Sequence, residues 1–225
     1  MEDITLALPG SAVFFMDRLS RAALTLAAEA AQNGAVVLFE PSGKSDEKQF
    51  AEAMKIAHIV KYSDQRLSEA GGAMTASTAT LLEIQTLGSQ GLRYRHRLDG
   101  QISDWSICPA FPAPSLVDTC GSGDWCTAGI LALGAKQGLL GLKKMDAQGL
   151  SKALRYGQAL AAWNFAFEGA CGGMYLVEPR EFQNQINAIM NGRPVLRTVV
   201  RHESTEPSVA CPACPPSTQH ILSAS

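Results

Sequence analysis

The sequence lacks the features of membrane-spanning, secreted and nucleic-acid-binding proteins. Its 225 residues contain no apolar run near the roughly 18 residues that a transmembrane helix needs. The first residues, Met1-Glu2-Asp3, carry acid where a secretory signal carries base. Because the net charge is only −2, an anion has to be bound by local groups rather than by a general positive charge. We therefore expect a cytoplasmic protein that binds neither nucleic acid nor membrane.

Cysteine and histidine are too scattered to predict a disulfide framework or a metal centre. The six cysteines show no regular spacing, and without an export signal they are expected to be reduced thiols. Cys211 and Cys214 have the spacing of half a zinc site, but no second pair follows, so a solvated pair is favoured over zinc. The four histidines stand singly and are expected at the surface or in satisfied polar positions.

Length and composition predict one globular domain followed by a tail. With 46% hydrophobic and 18% charged residues, the chain is typical of globular proteins and long enough for one sizeable core. From about Arg193 onwards the periodic apolar pattern disappears, and serine, threonine, proline and glutamate become frequent. We therefore expect a domain over residues 1–192 and a disordered tail over residues 193–225.

Apolar strands alternate with helices in the first part of the chain. Strands are predicted over residues 11–15, 35–39 and 58–61. A first helix is predicted to start at Asp17 or Ser20, to run to Ala31 and to be closed by an αL cap at Asn33-Gly34, and a second helix is predicted over 45–57. This order is typical of a parallel sheet that is covered on both faces. Later in the chain we expect strands at 81–87, 92–96 and 105–108, helices at 146–167 and 179–190, and a loop at 169–173. Leu98-Asp99-Gly100 predicts a hairpin, which departs from the parallel order.

Gly43-Lys44-Ser45 lies between a predicted strand and a predicted helix but does not form a P-loop. A P-loop needs a further glycine five residues before Gly43, and this chain has Leu38 there. Ser45 is therefore predicted to be the N-cap of the following helix.

The most informative stretch is Asp118-Thr119-Cys120-Gly121-Ser122-Gly123-Asp124, followed by an apolar run with helical spacing. Ser115-Leu116-Val117 before it is predicted to end a strand, so the glycines are expected where a strand passes into a helix. The unpaired N–H groups of a first helical turn, together with the helix dipole, favour an anion. Gly121 and Gly123 allow the main chain to approach that anion closely.

Asp124 falls within the first turn of this helix, beside the predicted anion. A carboxylate there can accept the proton of a hydroxyl that attacks phosphorus, while the amides bind the developing charge. The pattern thus predicts phosphoryl transfer to an alcohol. Spacing alone also allows a simpler interpretation, in which the glycines form a turn and Asp124 is an early-helix acid favoured by the dipole.

The same seven residues resemble the Asp-Thr-x-Gly-Ala-Gly-Asp signature of the ribokinase-like (PfkB) carbohydrate kinases, with Ser122 in place of alanine. Other segments similar to the family lie in the same order: a strand ending in an acid and a proline at 36–41, a counterpart of its Lys-Pro-Asn-Glu segment at 59–64, and its Thr-x-Gly-x-x-Gly loop at 86–91. The resemblance covers about residues 12–190. It implies a ribokinase-like, doubly wound three-layer α/β/α sandwich that lacks the family's N-terminal strands and lid.

The resemblance implies an ATP-dependent kinase that acts on a sugar or nucleoside. Asp124 would be the catalytic base, and Gly121, Ser122 and Gly123 would form the anion hole. The residues implied to contact the nucleotide are Lys61, Ser63, Thr86, Gly88, Gly91, Gly169 and Gly172. Asp118 and Cys120 would hold a monovalent cation such as K⁺. Mg²⁺ would bridge the phosphates, with Asp64 as its candidate ligand.

Two departures from the family leave other functions open. The family's Asn-x-x-Glu motif is replaced by Ser63-Asp64-Gln65-Arg66, so the carboxylate that helps to organise magnesium is lost. Two alternatives stay open: Asp64 substitutes for it through water, or Arg66 contacts phosphate itself. The strands of the sugar pocket and the lid have no counterpart, as if the chain started where the family's second half starts. One alternative is therefore a noncatalytic nucleotide-binding regulatory fragment. Another is a subunit, whether in a homodimer or with a separate lid-bearing polypeptide, which would expose apolar surface near residues 11–15.

Overall fold

The structure is a computed structural model that describes residues 10–41, 43, 46–65, 67, 74 and 77–195. The predictions for Lys44, Ser45 and Arg66 concern residues outside this set. The pair Cys211 and Cys214 and nearly all of the predicted tail also lie outside the described residues.

Seven strands form one mixed sheet within the described part of the chain. They are β1 (Val13–Met16), β2 (Val36–Phe39), β3 (Ile59–Ser63), β4 (Leu82–Thr86), β5 (Leu92–Leu98), β6 (Gln101–Ile102) and β7 (Ser106–Cys108). Strands β1 to β4 lie side by side in chain order and are parallel. Strand β5 pairs antiparallel with β4, and both β6 and β7 pair antiparallel with β5. The carboxyl ends of the four parallel strands therefore share one edge of the sheet.

Helices cover both faces of this sheet. They are α1 (Arg21–Gln32), α2 (Glu47–Ile56), α3 (Ser122–Gly134), α4 (Gly138–Lys143), α5 (Ala147–Asn164), α6 (Gly172–Leu176) and α7 (Pro179–Met190). Helices α1 and α2 pack with Val37 and Phe39 of β2 on one face, whereas α3, α4 and α5 pack with Val36 and Leu38 on the other. Alternate residues of one strand thus enter two different cores. The predicted three-layer α/β/α arrangement is confirmed.

Local sequence explains where the first helices begin and end. Ser20 caps α1 through its Oγ, which accepts the N–H of Ala23 at 3.1 Å, and Gly34 follows its end at φ +86°, as predicted. Helix α2 is capped by Asp46, whose Oδ1 accepts the N–H of Gln49 at 2.9 Å. The prediction that Ser45 is this N-cap is therefore wrong. Aspartate and serine cap helices about equally well, so their order in the sequence could not decide between them.

The segment before the glycine motif is not the strand that the sequence predicted. Leu116 and Val117 are 72% and 54% exposed, and the chain from 109 to 121 forms neither helix nor strand. The N–H of Val117 donates to the carbonyl of Phe165 at 2.7 Å rather than to a neighbouring strand. Three prolines between 109 and 114 remove main-chain donors just where a strand would have to begin.

Helices α3 and α5 cross at two glycines. A Cβ on Gly129 would lie 2.8 Å from the Cα of Gly157, and a Cβ on Gly157 would lie 2.6 Å from the carbonyl oxygen of Cys126. The crossing therefore fixes α3 against α5 at main-chain contact, which in turn fixes the first turn of α3 over the sheet. Helix α7 packs on the outer side of α5 through Ile186 and Ile189.

None of the helices that the structure describes combines the length and apolarity needed to cross a bilayer.

Candidate functional site

The first turn of α3 has free main-chain donors. Gly121 is the N-cap at φ +75°, and none of the side chains that the structure describes caps the helix. Ser122 donates its N–H weakly to the carbonyl of Thr119 at 3.3 Å. Within the described residues, the main-chain N–H groups of Gly123 and Asp124 have no acceptor. Two donors thus remain available where the helix dipole is positive.

The side chain of Asp124 lies at the surface beside these donors. It is exposed, and among the described residues no hydrogen bond or ion pair engages its carboxylate. The residue occupies the third position of α3, so the carboxylate is available to a ligand that approaches the helix N-terminus. This is the position that a base acting on a bound molecule would require.

Gly121 packs directly on the loop that follows α5. A Cβ at this position would lie 2.6 Å from the Cβ of Ala170, in addition to the strain of its positive φ. The Nε1 of Trp125 donates to the carbonyl of Ala170 at 2.7 Å, one turn further along α3. The two contacts hold the loop after α5 against the start of α3.

Asp118 joins the same two loops through its carboxylate. Its Oδ1 accepts the N–H of Cys120 at 3.0 Å, and its Oδ2 accepts the N–H of Gly169 at 2.9 Å. The Cys120 donor first, and then the Gly169 donor, hold the pKa of Asp118 below its usual value. The Nδ2 of Asn164 donates to the carbonyl of Cys120 at 2.7 Å, while its buried Oδ1 has no hydrogen-bond partner among the described residues. The two predicted cation residues therefore lie together, next to an unpaired buried oxygen.

The predicted glycine loop at 169–173 is shorter than expected. Gly169 has φ +72° and donates its N–H to Asp118. It therefore belongs to the hydrogen-bonded contact between the loop before α3 and the loop after α5. Gly172 begins α6, so the expectation that it lies in the loop is wrong. A Cβ on the next residue, Gly173, would lie 2.2 Å from the ring of Trp163, which explains a glycine there by packing.

A second group of predicted residues lies at the carboxyl edge of the sheet. Ser63 ends β3 and faces Thr86, which ends β4, in the strand register. The N–H of Asp64 donates to the carbonyl of Thr86 at 3.1 Å, and the Asp64 side chain is exposed. Gly88 begins a short 3₁₀ turn directly after this edge. The structure thus brings these residues together, and their contact with a nucleotide stays a prediction.

Gly91 has a structural reason to be glycine. Its φ is +96°, and a Cβ would lie 2.3 Å from the carbonyl oxygen of Cys108. Its own carbonyl accepts the N–H of Leu87 at 2.8 Å and closes the turn between β4 and β5. Within the described residues, no hydrogen bond joins Gly88 or Gly91 to the loop that contains Gly169.

Lys61 connects the strand edge with α3 from beneath. Its side chain is 2% exposed, and its Nζ lies 2.5 Å from Oε1 of Glu40. The same Nζ donates to the carbonyl of Gly123 at 3.4 Å. The Oγ1 of Thr127 lies 2.8 Å from Oε2 of Glu40 and 3.0 Å from the carbonyl oxygen of Gly123. Four residues, one directly after β2, one in β3 and two in α3, thus form one polar cluster under the first turn of the helix.

Sequence reasoning missed two members of this cluster. It noted Glu40 only as the acid at the end of a strand and did not consider Thr127. The signal for Thr127 was its position four residues after Gly123, since residues one turn apart on a helix are neighbours. The signal for Glu40 was its place directly after β2, beside the strand that carries Lys61.

These features define a class of α/β domains in which a helix N-terminus with free main-chain donors lies at the carboxyl edge of a parallel sheet, where such folds bind ligands. Comparison of the sequence with protein families is more specific. The family described as "pfkB family carbohydrate kinase" matches residues 5–174 of the chain. The chain belongs to this family, and the resemblance drawn from the glycine motif is confirmed.

Solved structures share the fold at low sequence identity. A nucleoside kinase of Burkholderia thailandensis in complex with inosine has 20% identity and a TM-score of 0.56, with 77% of this chain and 55% of that chain covered. A ribokinase of Giardia lamblia has 16% identity, a TM-score of 0.64 and coverages of 83% and 62%. A nucleoside kinase of Methanocaldococcus jannaschii, described as an archaeal member of the ribokinase family, has 18% identity, a TM-score of 0.54 and coverages of 73% and 52%.

The ribokinase-like fold is therefore confirmed. The chain spans only 55%, 62% and 52% of the length of these three structures. A search of curated proteins gave no match.

Proposed function

We propose that this chain carries the nucleotide-binding and phosphoryl-transfer part of a sugar or nucleoside kinase. The observation that supports it most directly is the position of Asp124, an exposed carboxylate in the same helical turn as the free N–H groups of Gly123 and Asp124. A base next to preorganised donors is what phosphoryl transfer to an alcohol requires. Membership of the carbohydrate kinase family supports the same reaction class.

In the proposed reaction, Asp124 accepts the proton of the acceptor hydroxyl. The hydroxyl oxygen forms a bond to the γ-phosphorus as the bond between this phosphorus and the bridging oxygen breaks, and ADP leaves with that electron pair. The N–H groups of Gly123 and Asp124 stabilise the negative charge on the oxygens of the group in transfer. Asp124 then returns its proton to solvent.

The residues at the strand edge fit a nucleotide-bound Mg²⁺. This ion usually takes one or two protein carboxylates and completes its shell with phosphate and water oxygens. Asp64 is exposed directly after β3 and would hold the ion directly or through water, with Ser63 beside it. The ion would neutralise charge on the phosphates. Glu40 fits this role less well, because its charge is already paired with the ammonium of Lys61.

The loops beside α3 fit a monovalent cation and the far end of the nucleotide. Asp118 and the carbonyl of Cys120 are the proposed ligands of K⁺, and the buried Oδ1 of Asn164, which lacks a hydrogen-bond partner among the described residues, supports an ion near them. Three residues after β4 are proposed to line the nucleotide: Thr86, Gly88 and Gly91. Gly169 and Gly172 are proposed to position adenine or the cation.

The acceptor is proposed to be a sugar or a nucleoside. Two of the three structures compared above are nucleoside kinases, one of them bound to inosine, so nucleosides belong in any panel of candidate acceptors. We further propose that the protein acts in the cytoplasm.

A second candidate is a regulatory fragment or a subunit completed by another polypeptide. Two observations favour it. The chain spans 55% of the Burkholderia enzyme, and β1 is an edge strand of the described sheet with Phe15 45% exposed. An exposed edge with an apolar side chain can accept a further strand.

Turnover of Mg-ATP with a panel of sugars and nucleosides tests the proposal. We expect Asp124→Asn to lower the rate by about 10² to 10⁴-fold, because the amide keeps the shape but cannot act as a base. Asp104→Asn, at another exposed acid, is the matched control and should leave the rate unchanged. Equal rates in wild type and Asp124→Asn would remove Asp124 from this role. Binding of Mg-ATP without turnover in either protein would favour the second candidate.

A further inference from the structure

The ion pair of Glu40 and Lys61 is not explained by direct contact with a nucleotide. Lys61 is 2% exposed, and its Nζ is already bound to Glu40 and to the carbonyl of Gly123. The Glu40 side chain is 23% exposed. Removing charges from water is costly, so a pair that is largely buried is weak evidence for a role in stability alone. The pair lies directly under the first turn of α3, which points to a role at that turn.

Lys61 contacts the first turn of α3 at one peptide group. Its Nζ donates to the carbonyl of Gly123, and this carbonyl belongs to the same peptide group as the free N–H of Asp124. Hydrogen bonds in series polarise one another. A cation at the carbonyl oxygen therefore makes the N–H on the opposite side of that peptide a stronger donor toward an anion.

Thr127 attaches Glu40 to the helix. A hydroxyl has one proton to donate, and of the two acceptors within reach of Oγ1 the Glu40 carboxylate is both nearer, at 2.8 Å, and charged. The other oxygen of Glu40 holds Lys61. The ammonium is thus fixed between an anchored carboxylate and the Gly123 carbonyl, with little freedom to reach a ligand above the helix.

We propose that Glu40, Lys61 and Thr127 are positioning residues, which hold and polarise the peptide between Gly123 and Asp124 for phosphoryl transfer. This inference rests on the proposed function and assigns Lys61 a place beneath the anion site instead of on the phosphates. Because the N–H of Asp124 acts on charge that develops during transfer, loss of the cluster lowers kcat while leaving KM for Mg-ATP nearly unchanged.

Thr127 offers the least disruptive test. Thr127→Val removes the hydroxyl and keeps the shape, whereas Thr127→Ser keeps the hydroxyl. Thr25→Val in α1 is the matched control. Like the hydroxyl of Thr127, that of Thr25 is within hydrogen-bond distance of the main-chain carbonyl four residues earlier, here that of Arg21 at 3.0 Å. We expect kcat to fall roughly 3- to 10-fold in Thr127→Val, as for the loss of one hydrogen bond, and to stay near the wild-type value in the other two variants.

The ion pair itself is tested by the double variant Glu40→Gln/Lys61→Met. Changing both residues together avoids leaving one buried charge without its partner. We expect a fall in kcat of about 10- to 100-fold with KM for Mg-ATP within about twofold of wild type. A parallel rise of KM would instead place Lys61 on the phosphates and overturn the inference.

A binding measurement makes the test independent of an acceptor. Calorimetry with Mg-ADP, and with Mg-ADP plus aluminium fluoride as a mimic of the phosphoryl group in transfer, is applied to wild type and Thr127→Val. We expect equal affinity for Mg-ADP and weaker binding of the fluoride complex in the variant. Equal binding of both, or an equal loss of both, would overturn this inference alone. Failure of the wild type to bind either probe would overturn the proposed function as well.

Discussion

The carboxylate of Asp118 accepts the main-chain N–H of Gly169, 51 residues further along the chain, at 2.9 Å. The other carboxylate oxygen accepts the N–H of Cys120. One side chain therefore clasps the loop before α3 to the loop after α5, and the position of the free donors in the first turn of α3 depends on that clasp.

The clasp predicts a pH-dependent effect of Asp118→Asn. The amide replaces one acceptor oxygen by an NH₂ group, so one main-chain donor loses its partner and the variant should unfold at lower urea concentration near neutral pH. The two main-chain donors hold the pKa of Asp118 below its usual value. The stabilisation by the ionised side chain is therefore complete above the pKa of the unfolded chain, which is about 4, and is lost as pH falls through the lower folded pKa.

Urea unfolding of wild type and Asp118→Asn from about pH 7 down to about pH 3 measures this difference. The gap between the two midpoints should be constant above about pH 5 and narrow below about pH 4. Asp104→Asn is the control and should show no gap, because none of the described residues donates a main-chain N–H to the Asp104 carboxylate. A gap in Asp118→Asn that does not change with pH would contradict the role of the ionised carboxylate.

A side chain at position 121 is expected to lower the free energy of unfolding by more than backbone strain alone would. Gly121→Ala would place a Cβ 2.6 Å from Ala170 at φ +75°, so we expect a loss of about 2–4 kcal/mol in the free energy of unfolding. Gly34→Ala is the matched control, since Gly34 has φ +86° but no atom within 4 Å of an added Cβ. Strain alone should cost about 1–2 kcal/mol there. Equal losses in the two variants, measured by urea unfolding, would show that the contact with Ala170 yields easily.

The elements that the sequence predicted well are those specified by neighbouring residues. Strand β2 is a continuous apolar run, and α7 begins at Pro179, which suits the first position of a helix. The segment at 115–117 was wrongly predicted to be part of a strand, because its hydrogen-bond partner, the carbonyl of Phe165, lies far away in sequence. Three residues with strand-like character do not reveal that their donor is taken by a distant loop.

The candidate site likewise has a part that neighbouring residues specify and a part that depends on residues far apart in sequence. The glycine motif could be located because the donors, the N-cap and Asp124 all lie within seven residues of one another. The position of Lys61 beneath α3 could not be predicted, because it depends on the pairing of β2 with β3 and on the placement of α3 above both strands. A strand residue is known to face one side of its sheet, but the sequence does not say which helix covers that side.

The described cysteines predict a sharp difference in reactivity. Cys120 and Cys171 are exposed, whereas Cys108 and Cys126 are buried. Burial raises the pKa of the Cys126 thiol to about 11 and also raises that of Cys108. Because the thiolate is the reactive form, N-ethylmaleimide should modify Cys120 and Cys171 in the folded protein, and Cys108 and Cys126 only in urea. Mass spectrometry of the tryptic peptides distinguishes the sites, and rapid labelling of Cys126 without urea would show that α3 opens readily.

His58 predicts how stability changes in mild acid. Its Nδ1 accepts the main-chain N–H of Val37 at 3.0 Å, so the buried ring is a satisfied polar group, as the sequence predicted. Burial, and secondly the charge of Lys143, lower the pKa of His58 to about 4. The unfolded chain therefore binds a proton near pH 6.5 that the folded protein does not yet bind, and stability falls as pH drops from about 6.5 to about 4.

The size of this loss should be about 2 kcal/mol once solvent screening is allowed for. His58→Asn keeps an acceptor near the position of Nδ1 but cannot be protonated, so its free energy of unfolding, from urea titrations, should fall less than that of wild type over this pH range. Because every other titrating group is common to the two proteins, parallel curves for wild type and His58→Asn would mean that the folded protein accommodates a charged imidazole despite the charge of Lys143.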